Sequence, residues 1–484
     1  MTIPMKRPFE CTTVAILAAI STLAAIGQAV PKKTVLTDAP APRLLAQTAS
    51  PSPASPGTAS PSTMQQPASA PASQSSKPKL TLKQAEQMAI KNNPQVSVAH
   101  LLALAQHQVA RETRAAELPT GSAAITAVDA EDATRISAGS LTASRLFEHA
   151  GVGGGFSQLV TDFGKTRNLE ASSILQEKAQ NANAIATQYE IQLATDQAFY
   201  NALQAQQTLQ VAQQNVTTRQ TVESQVSQMT ASKLKSTLDL SFADVNLSQA
   251  KLLALDAENN ADSAMAALDA ILGLDHQVDF DLVEDGPEIQ QPPPDIDQLV
   301  ADSLKHRPDL QASVLAQQAL VKFSKAQRDQ SFPSIAVSGT AGSVPIRPAQ
   351  YYVTNWWGAI GVNLNIPIFN GFLYSAQAKE ASIRAQAAAE RTRDLRDRIV
   401  RDVRTSWLAA NTSFQRVAVT AELLKEANLA LSLAQTRYQM GLSSIVELSQ
   451  AEYQQTDAAI GNSNAQYQYR LALATLNYQV GANP

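Results

Sequence analysis

Two acids stand at matching places in the chain. Asp239 follows Ser236 by three residues in SKLKSTLDLSFA, and Glu447 follows Ser444 by three in MGLSSIVELSQA. A serine with an acid three residues on, ahead of an apolar run, is a helix-start signal. The hydroxyl accepts from the third helical N–H, and the acid reaches back to the cap N–H. The chemistry open to such acids is electrostatic. They accept hydrogen bonds and place negative charge at the positive end of a helix dipole. No bond-making constellation accompanies them. The five histidines, His100, His107, His149, His276 and His306, lack metal-ligand spacing. Gly153–Gly155 is followed neither by Lys-Ser/Thr nor by a helix start, so it is no phosphate loop. No nucleophile elbow, catalytic acid pair or nucleotide motif is present. These absences predict a protein that is not an enzyme and uses no cofactor or metal. A net charge of −4 supplies no basic field for nucleic acid.

The two acids require elements that bring them to the same kind of place. From Lys165 to Leu272, and again from Phe372 to Met440, the chain contains neither Gly nor Pro. Ahead of each tip these runs predict a helix of about seventy residues, about 100 Å long. Gly441 supplies a left-handed helix end, and Ser444 starts a returning helix after a turn of about three residues. The first tip has the same layout. The tips lie 208 residues apart (239 to 447), and so do Gly273 and Gly481, which close the returning helices. Pro94 and Pro308, like Pro119 and Pro333, lie 214 apart. The chain is thus an internal duplication, with a first repeat over 80–286 and a second over 287–484. Each repeat reads as a helix, two strands, a very long helix, a tip and a helix about half as long. The helices flanking the strands and following the tip can stack end to end against one long helix.

LTLKQAEQMAIKNNPQV opens the first repeat with helical spacing at Leu82, Ala85, Met88 and Ala89. LPTGSAAITAVDA with VGGGFSQLVTDFG, and FPSIAVSGTAG with WWGAIGVNLNIPIFNG, predict two strand pairs. In the last segment Ile360, Val362, Leu364, Ile366 and Ile368 alternate with Gly361, Asn363 and Asn365. That is a strand with one apolar face. Trp356 and Trp357 at its start suit a membrane interface. Along the second long helix Leu395, Ile399, Val403, Ser406 and Ala410 form a narrow stripe that predicts coiled-coil packing. Asp394–Arg398 and Asp397–Arg401 are expected ion pairs on its wet side.

Residues 1–29 predict a signal peptide, from Lys6 and Arg7, the apolar Thr12–Ile26, and Gly27-Gln28-Ala29. The only cysteine, Cys11, precedes the apolar core, which excludes a lipid-attachment cysteine. Residues 30–79 are rich in Pro, Ala and Ser and predict a disordered linker. Four strands do not close a membrane barrel, and an open edge in lipid is not viable. If these strands sit in a membrane, several chains must assemble.

LTLKQAEQMAIKNNPQV, FSQLVTDFGK, LNIPIFNGF, both tips and the spacing between them resemble the TolC family of outer-membrane efflux proteins, from Leu80 to Gly481. The resemblance implies a mainly α protein with a small β part. It implies a homotrimer with a 12-stranded outer-membrane barrel, continued by a long α-helical coiled-coil barrel in the periplasm of a Gram-negative-type cell. The implied role is the exit duct of a tripartite efflux pump or type I secretion system. Its partners would be a periplasmic adaptor, an inner-membrane transporter and outer-membrane lipid. The resemblance makes Asp239 and Glu447 gate candidates, with Gln450 where some members carry a second acid. Gly441 and Leu442 match the adaptor-docking Gly-Leu pair of the second tip. Leu234 matches the leucine of the first tip, where Lys233 replaces the glycine. A trimeric coiled-coil surface stalk or adhesin is the alternative. It would need a sustained apolar heptad seam and no duplicated strand pairs, so the strand pairs favour the duct.

Overall fold

The computed structural model describes residues 78–129, 149–276, 278–284, 289–346 and 356–482. The signal peptide, Cys11 and all of the linker before Pro78 lie outside them. The described chain opens on a short strand, β1 (Lys79–Thr81), then α1 (Leu82–Asn92) and α2 (Pro94–Ala115). A strand pair follows, β2 (Thr120–Val128) and β3 (His149–Thr161), then the long α3 (Lys165–Ala231) and the returning α4 (Thr237–Leu272). The second half runs β4 (Asp281–Val283), α5 (Ile296–His306), α6 (Pro308–Asp329), β5 (Ser334–Ile346), β6 (Trp356–Asn365), α7 (Leu373–Gln439) and α8 (Ile445–Val480). The paired elements match in length: α1 and α5 have 11 residues, α2 and α6 have 22, α3 and α7 have 67, and α4 and α8 have 36.

Three expectations about these elements are corrected. Helix does not begin at Leu80. Leu80 and Lys79 belong to β1, which pairs in parallel with β4, Lys79 opposite Asp281 and Leu80 opposite Leu282. A strand of three residues is too short to carry a periodic signal. The two tips each span five residues rather than about three, because the αL turn and the next N-cap occupy separate positions. Strand β6 stops at Asn365, so Ile366 and Ile368 lie beyond the sheet although they continue its alternation. Pro367 has no N–H to extend the ladder.

The helices pack through a seven-residue repeat of small side chains. Ala103 and Ala110 on α2 are buried, as are Ala312, Ala319 and Ala326 on α6, Ala243, Ala250 and Ala257 on α4, and Ala451, Ala458 and Ala465 on α8. A strict seven-residue period winds helices into a left-handed supercoil, and alanine lets their axes approach closely. The stripe on α7 is buried as expected at Ile399, Val403, Ser406 and Ala410. Of the two ion pairs expected on its wet side, Asp394–Arg398 forms. Arg401 instead bonds Asp402, 2.7 Å away.

The end-to-end stacking is visible at two glycines. α2 and α4 both pack along α3. The end of α4 abuts the junction between α1 and α2, where Asn93 Nδ2 donates to the Ile271 carbonyl at 3.1 Å. Gly273 there has φ +70, and a Cβ on it would lie 2.8 Å from the Asn92 carbonyl oxygen. Gly481 meets His306 and Arg307 in the same way, at 3.3 Å. Gly441 also has positive φ but nothing within 4 Å of a Cβ. Gly273→Ala should therefore cost about 3 kcal/mol, from the left-handed backbone together with the clash. Gly441→Ala should cost only about 1 kcal/mol. Thermal melts of the two variants check this; equal losses would show that the junction yields.

The four long strands form one antiparallel sheet in the order β2-β3-β5-β6, with β2 and β6 as open edges. The register sorts the side chains into two faces. Ile125, Val152, Phe156, Val337, Ile360, Val362 and Leu364 share one face. Ser122, Thr126, Ser338, Thr340, Asn363 and Asn365 share the other. On this second face Asn363 Nδ2 donates to Ser338 Oγ at 3.1 Å. The apolar face is bare in the single chain: Ile125 is 86% and Ile360 77% exposed. Trp356 stands on the apolar face. Trp357 falls on the polar face instead, over Gly342 and Gly153.

Candidate functional site

The two tips form one structure. Val226 of α3, Ala243 of α4, Ala434 and Tyr438 of α7, and Ile445, Leu448 and Ala451 of α8 make a single buried cluster. At the second tip the chain leaves α7 through Gly441 at φ +74, and the Leu442 N–H donates to the Arg437 carbonyl at 2.8 Å. The first tip repeats this turn without glycine. Lys233 adopts φ +61, and the Leu234 N–H donates to the Met229 carbonyl at 2.8 Å. A side chain in the left-handed region costs about 1–2 kcal/mol. Leu234 and Leu442 both project outward, 75% and 67% exposed.

The two candidate acids differ in their surroundings. Asp239 completes a capping box: its carboxylate accepts from the Ser236 N–H at 3.1 Å, and its own N–H donates to Ser236 Oγ at 3.2 Å. Glu447 does not complete one, although Ser444 Oγ still accepts from its N–H. Its carboxylate pairs with Arg437 Nε at 3.1 Å, across the tip on α7. The S-x-x-acid spacing is the same at both tips, but a guanidinium from another helix competes for the second acid. Charge-assisted bonds are the stronger kind. The tips are also tied to each other, since Lys235 Nζ lies 4.3 Å from the centroid of the Tyr438 ring. Burial pushes the Tyr438 phenol up, and the nearby Asp239 charge adds to this. Gln450 is exposed on α8.

Further from the tip, α3 and α8 are joined by a buried ion pair, Arg219–Glu452, the two side chains being 8% and 4% exposed. Arg219 Nε also donates to Asn215 Oδ1 at 3.3 Å. Burial raises the Glu452 carboxyl, outweighing the lowering by Arg219. Asn246 Nδ2 on α4 donates to Ser449 Oγ on α8 at 2.7 Å. Sequence reasoning missed these links, because their partners lie more than 200 residues apart in the chain and share no motif. Lys235–Tyr438 and Arg437–Glu447 were missed because each joins different elements. Among the described residues no group of three or more His, Cys, Asp or Glu side chains could hold a metal ion. Among the same residues no helix is long and apolar enough to cross a membrane.

Residues 299–482 match the model of the outer membrane efflux protein family. The chain is 24% identical to outer membrane protein TolC of Escherichia coli K12 over 349 residues, 66% of this chain and 69% of that protein. The fold agrees over a still larger share. The chain superposes on the crystal structure of outer membrane protein VceC from Vibrio cholerae with a TM-score of 0.71. That match has 18% identity and covers 83% of this chain and 96% of that one. Its second repeat thus matches the outer membrane efflux protein family, and its fold is that of TolC-like outer membrane channels. The match to TolC of Salmonella enteritidis has 26% identity over 151 residues and spans only 31% of that protein's length. Like these channels, the chain is mainly helical with a small β part. The coiled-coil stalk or adhesin has no support among these relatives.

Proposed function

We propose that three copies of this chain form an outer-membrane exit duct of a tripartite efflux pump or type I secretion system, with the helices in the periplasm. The observation that carries this is the four-stranded sheet with one apolar face and two open edges. Such a sheet is stable in lipid only when its edges are closed by further strands. Three chains supply twelve. The helices support the same assembly. Leu238, Val245 and Leu252 on α4 repeat every seven residues and are exposed in the single chain, and so are Leu433 on α7 and Met440 at its C-cap. These uncovered seams fit neighbouring helices of further copies. Asp239 and Glu447 then ring the periplasmic mouth, and the tips with Leu234, Gly441 and Leu442 meet a periplasmic adaptor coupled to an inner-membrane transporter.

The purified protein should run as a trimer in mild detergent, fractionate with the outer membrane and conduct ions across a planar bilayer. Replacing Asp239 and Glu447 together by Ala should shift the reversal potential in a salt gradient. A trimer without conductance would overturn the duct. Conductance with an unmoved reversal potential would leave the two acids as caps only.

A further inference from the structure

The duplication supplies its own control for what a tip turn requires. The second tip builds the turn from Gly441, Leu442 and Ser443. The first builds the same turn, with the same 2.8 Å closing hydrogen bond, from Lys233, Leu234 and Lys235. Neither lysine is therefore needed by the turn, and Lys233 sits in a backbone region that disfavours side chains. Strained positions persist where the side chain has another use.

The other charges of the tips are already engaged. Asp239 is held by Ser236, and Glu447 is held by Arg437. The Lys233 ammonium is exposed and has no partner among the described residues. Lys235 is half-buried with its ammonium over the face of the Tyr438 ring, a cation–π contact that leaves it without a carboxylate partner among the described residues. Leu234 stands between them, 75% exposed.

We propose that the first tip docks a periplasmic partner through an acidic–apolar–acidic segment, with Leu234 taking the apolar residue and Lys233 and Lys235 reading the acids. This rests on the reading of the tips as the adaptor-docking end. It adds the chemistry of the partner, which follows from charge complementarity. The second tip, with Gly441 and Ser443 in the same places, makes no such demand, so the two tips discriminate different faces of the partner.

The test uses the full-length trimer in detergent, immobilised, and two closed loop peptides that differ only at their apex, Glu-Leu-Glu or Lys-Leu-Lys. The acidic peptide should bind roughly tenfold more tightly in 50 mM salt, since two exposed pairs are gained in one case and opposed in the other. The ratio should fall toward one in 0.5 M salt. The variant Lys233→Gln with Lys235→Gln keeps a side chain at the strained position, so the left-handed turn stays while the Lys235–Tyr438 contact is lost. It should bind both peptides alike. Leu234→Asp should weaken both. Equal binding of the two peptides to the unaltered trimer would overturn the charge reading and leave docking at the tip intact. Binding of neither peptide would overturn the docking reading together with the charge reading.

Discussion

The protein should lose stability as pH rises from about 4 to 8, and Asp196→Asn should remove its share of that slope, leaving the shares of Asp269 and Glu452, whose carboxyls burial also raises. Asp196 lies on the buried side of α3, in the core where Leu80, Ala85 and Ala89 meet Phe199, Tyr200 and Leu268. Burial, with the neighbouring Glu86 of α1 as hydrogen-bond partner and as a like charge, pushes its carboxyl up to about 8. The other ionisable groups around it are Tyr200 on α3, Arg470 and Tyr467 on α8, and Glu284 after β4. Unfolding returns Asp196 to its ordinary value of 3.8. Between the two values the folded state holds a proton that the unfolded state releases. Stability from this group is therefore complete below about pH 4 and is lost as pH climbs through 8. The slope is about 1 kcal/mol per pH unit per chain, a few kcal/mol in all. Asparagine keeps the size and hydrogen-bonding capacity without the charge. Its thermal melt should fall less steeply across this range and exceed the unaltered protein most at pH 8. Parallel curves for the two proteins would show that Asp196 is ionised in the fold.

Breaking the Arg219–Glu452 pair from one side should be far more damaging than removing both partners. Both side chains are buried, and the remaining Glu452 oxygen finds no hydrogen-bond partner. Glu452→Ala leaves a guanidinium in the α3–α8 interface with only Asn215 to receive it, which should cost about 3–5 kcal/mol. Replacing Arg219 by Met and Glu452 by Leu fills similar volume without charge. That double variant should be near neutral or more stable by a few kcal/mol. Denaturation of the four proteins in a double-mutant cycle measures the coupling. Additive losses would mean that the pair contributes no more than two independent contacts.

Much of the architecture was legible along the chain because it rests on local rules. Long runs without Gly or Pro leave helix as the state in which every backbone group is paired. Gly441, Gly273 and Gly481 mark helix ends because few residues tolerate positive φ, and all three have it. The equal spacing of these marks disclosed the duplication, which the paired helix lengths repeat. Alternation from Ile360 through Leu364 disclosed the apolar face of one strand. The placement of Asp239 and Glu447 at the tips was equally local, since each belongs to an N-cap segment.

What those acids bond to was a tertiary matter. Two identical S-x-x-acid steps gave one complete capping box and one ion pair, because Arg437 is delivered to Glu447 by the packing of α7 against α8. Lys233 took a glycine's conformation because the rest of the tip holds the turn closed around it. Trp357 left the apolar face because the pairing register decides which parity faces which way, and a step of one residue reverses it. Asp196 with Glu86, and Arg219 with Glu452, are joined across 110 and 233 residues of chain. No spacing rule reaches that far. Local propensity determined which elements form and where they end, while the low-dielectric contacts between elements decided the charge and the partner of each ionisable side chain.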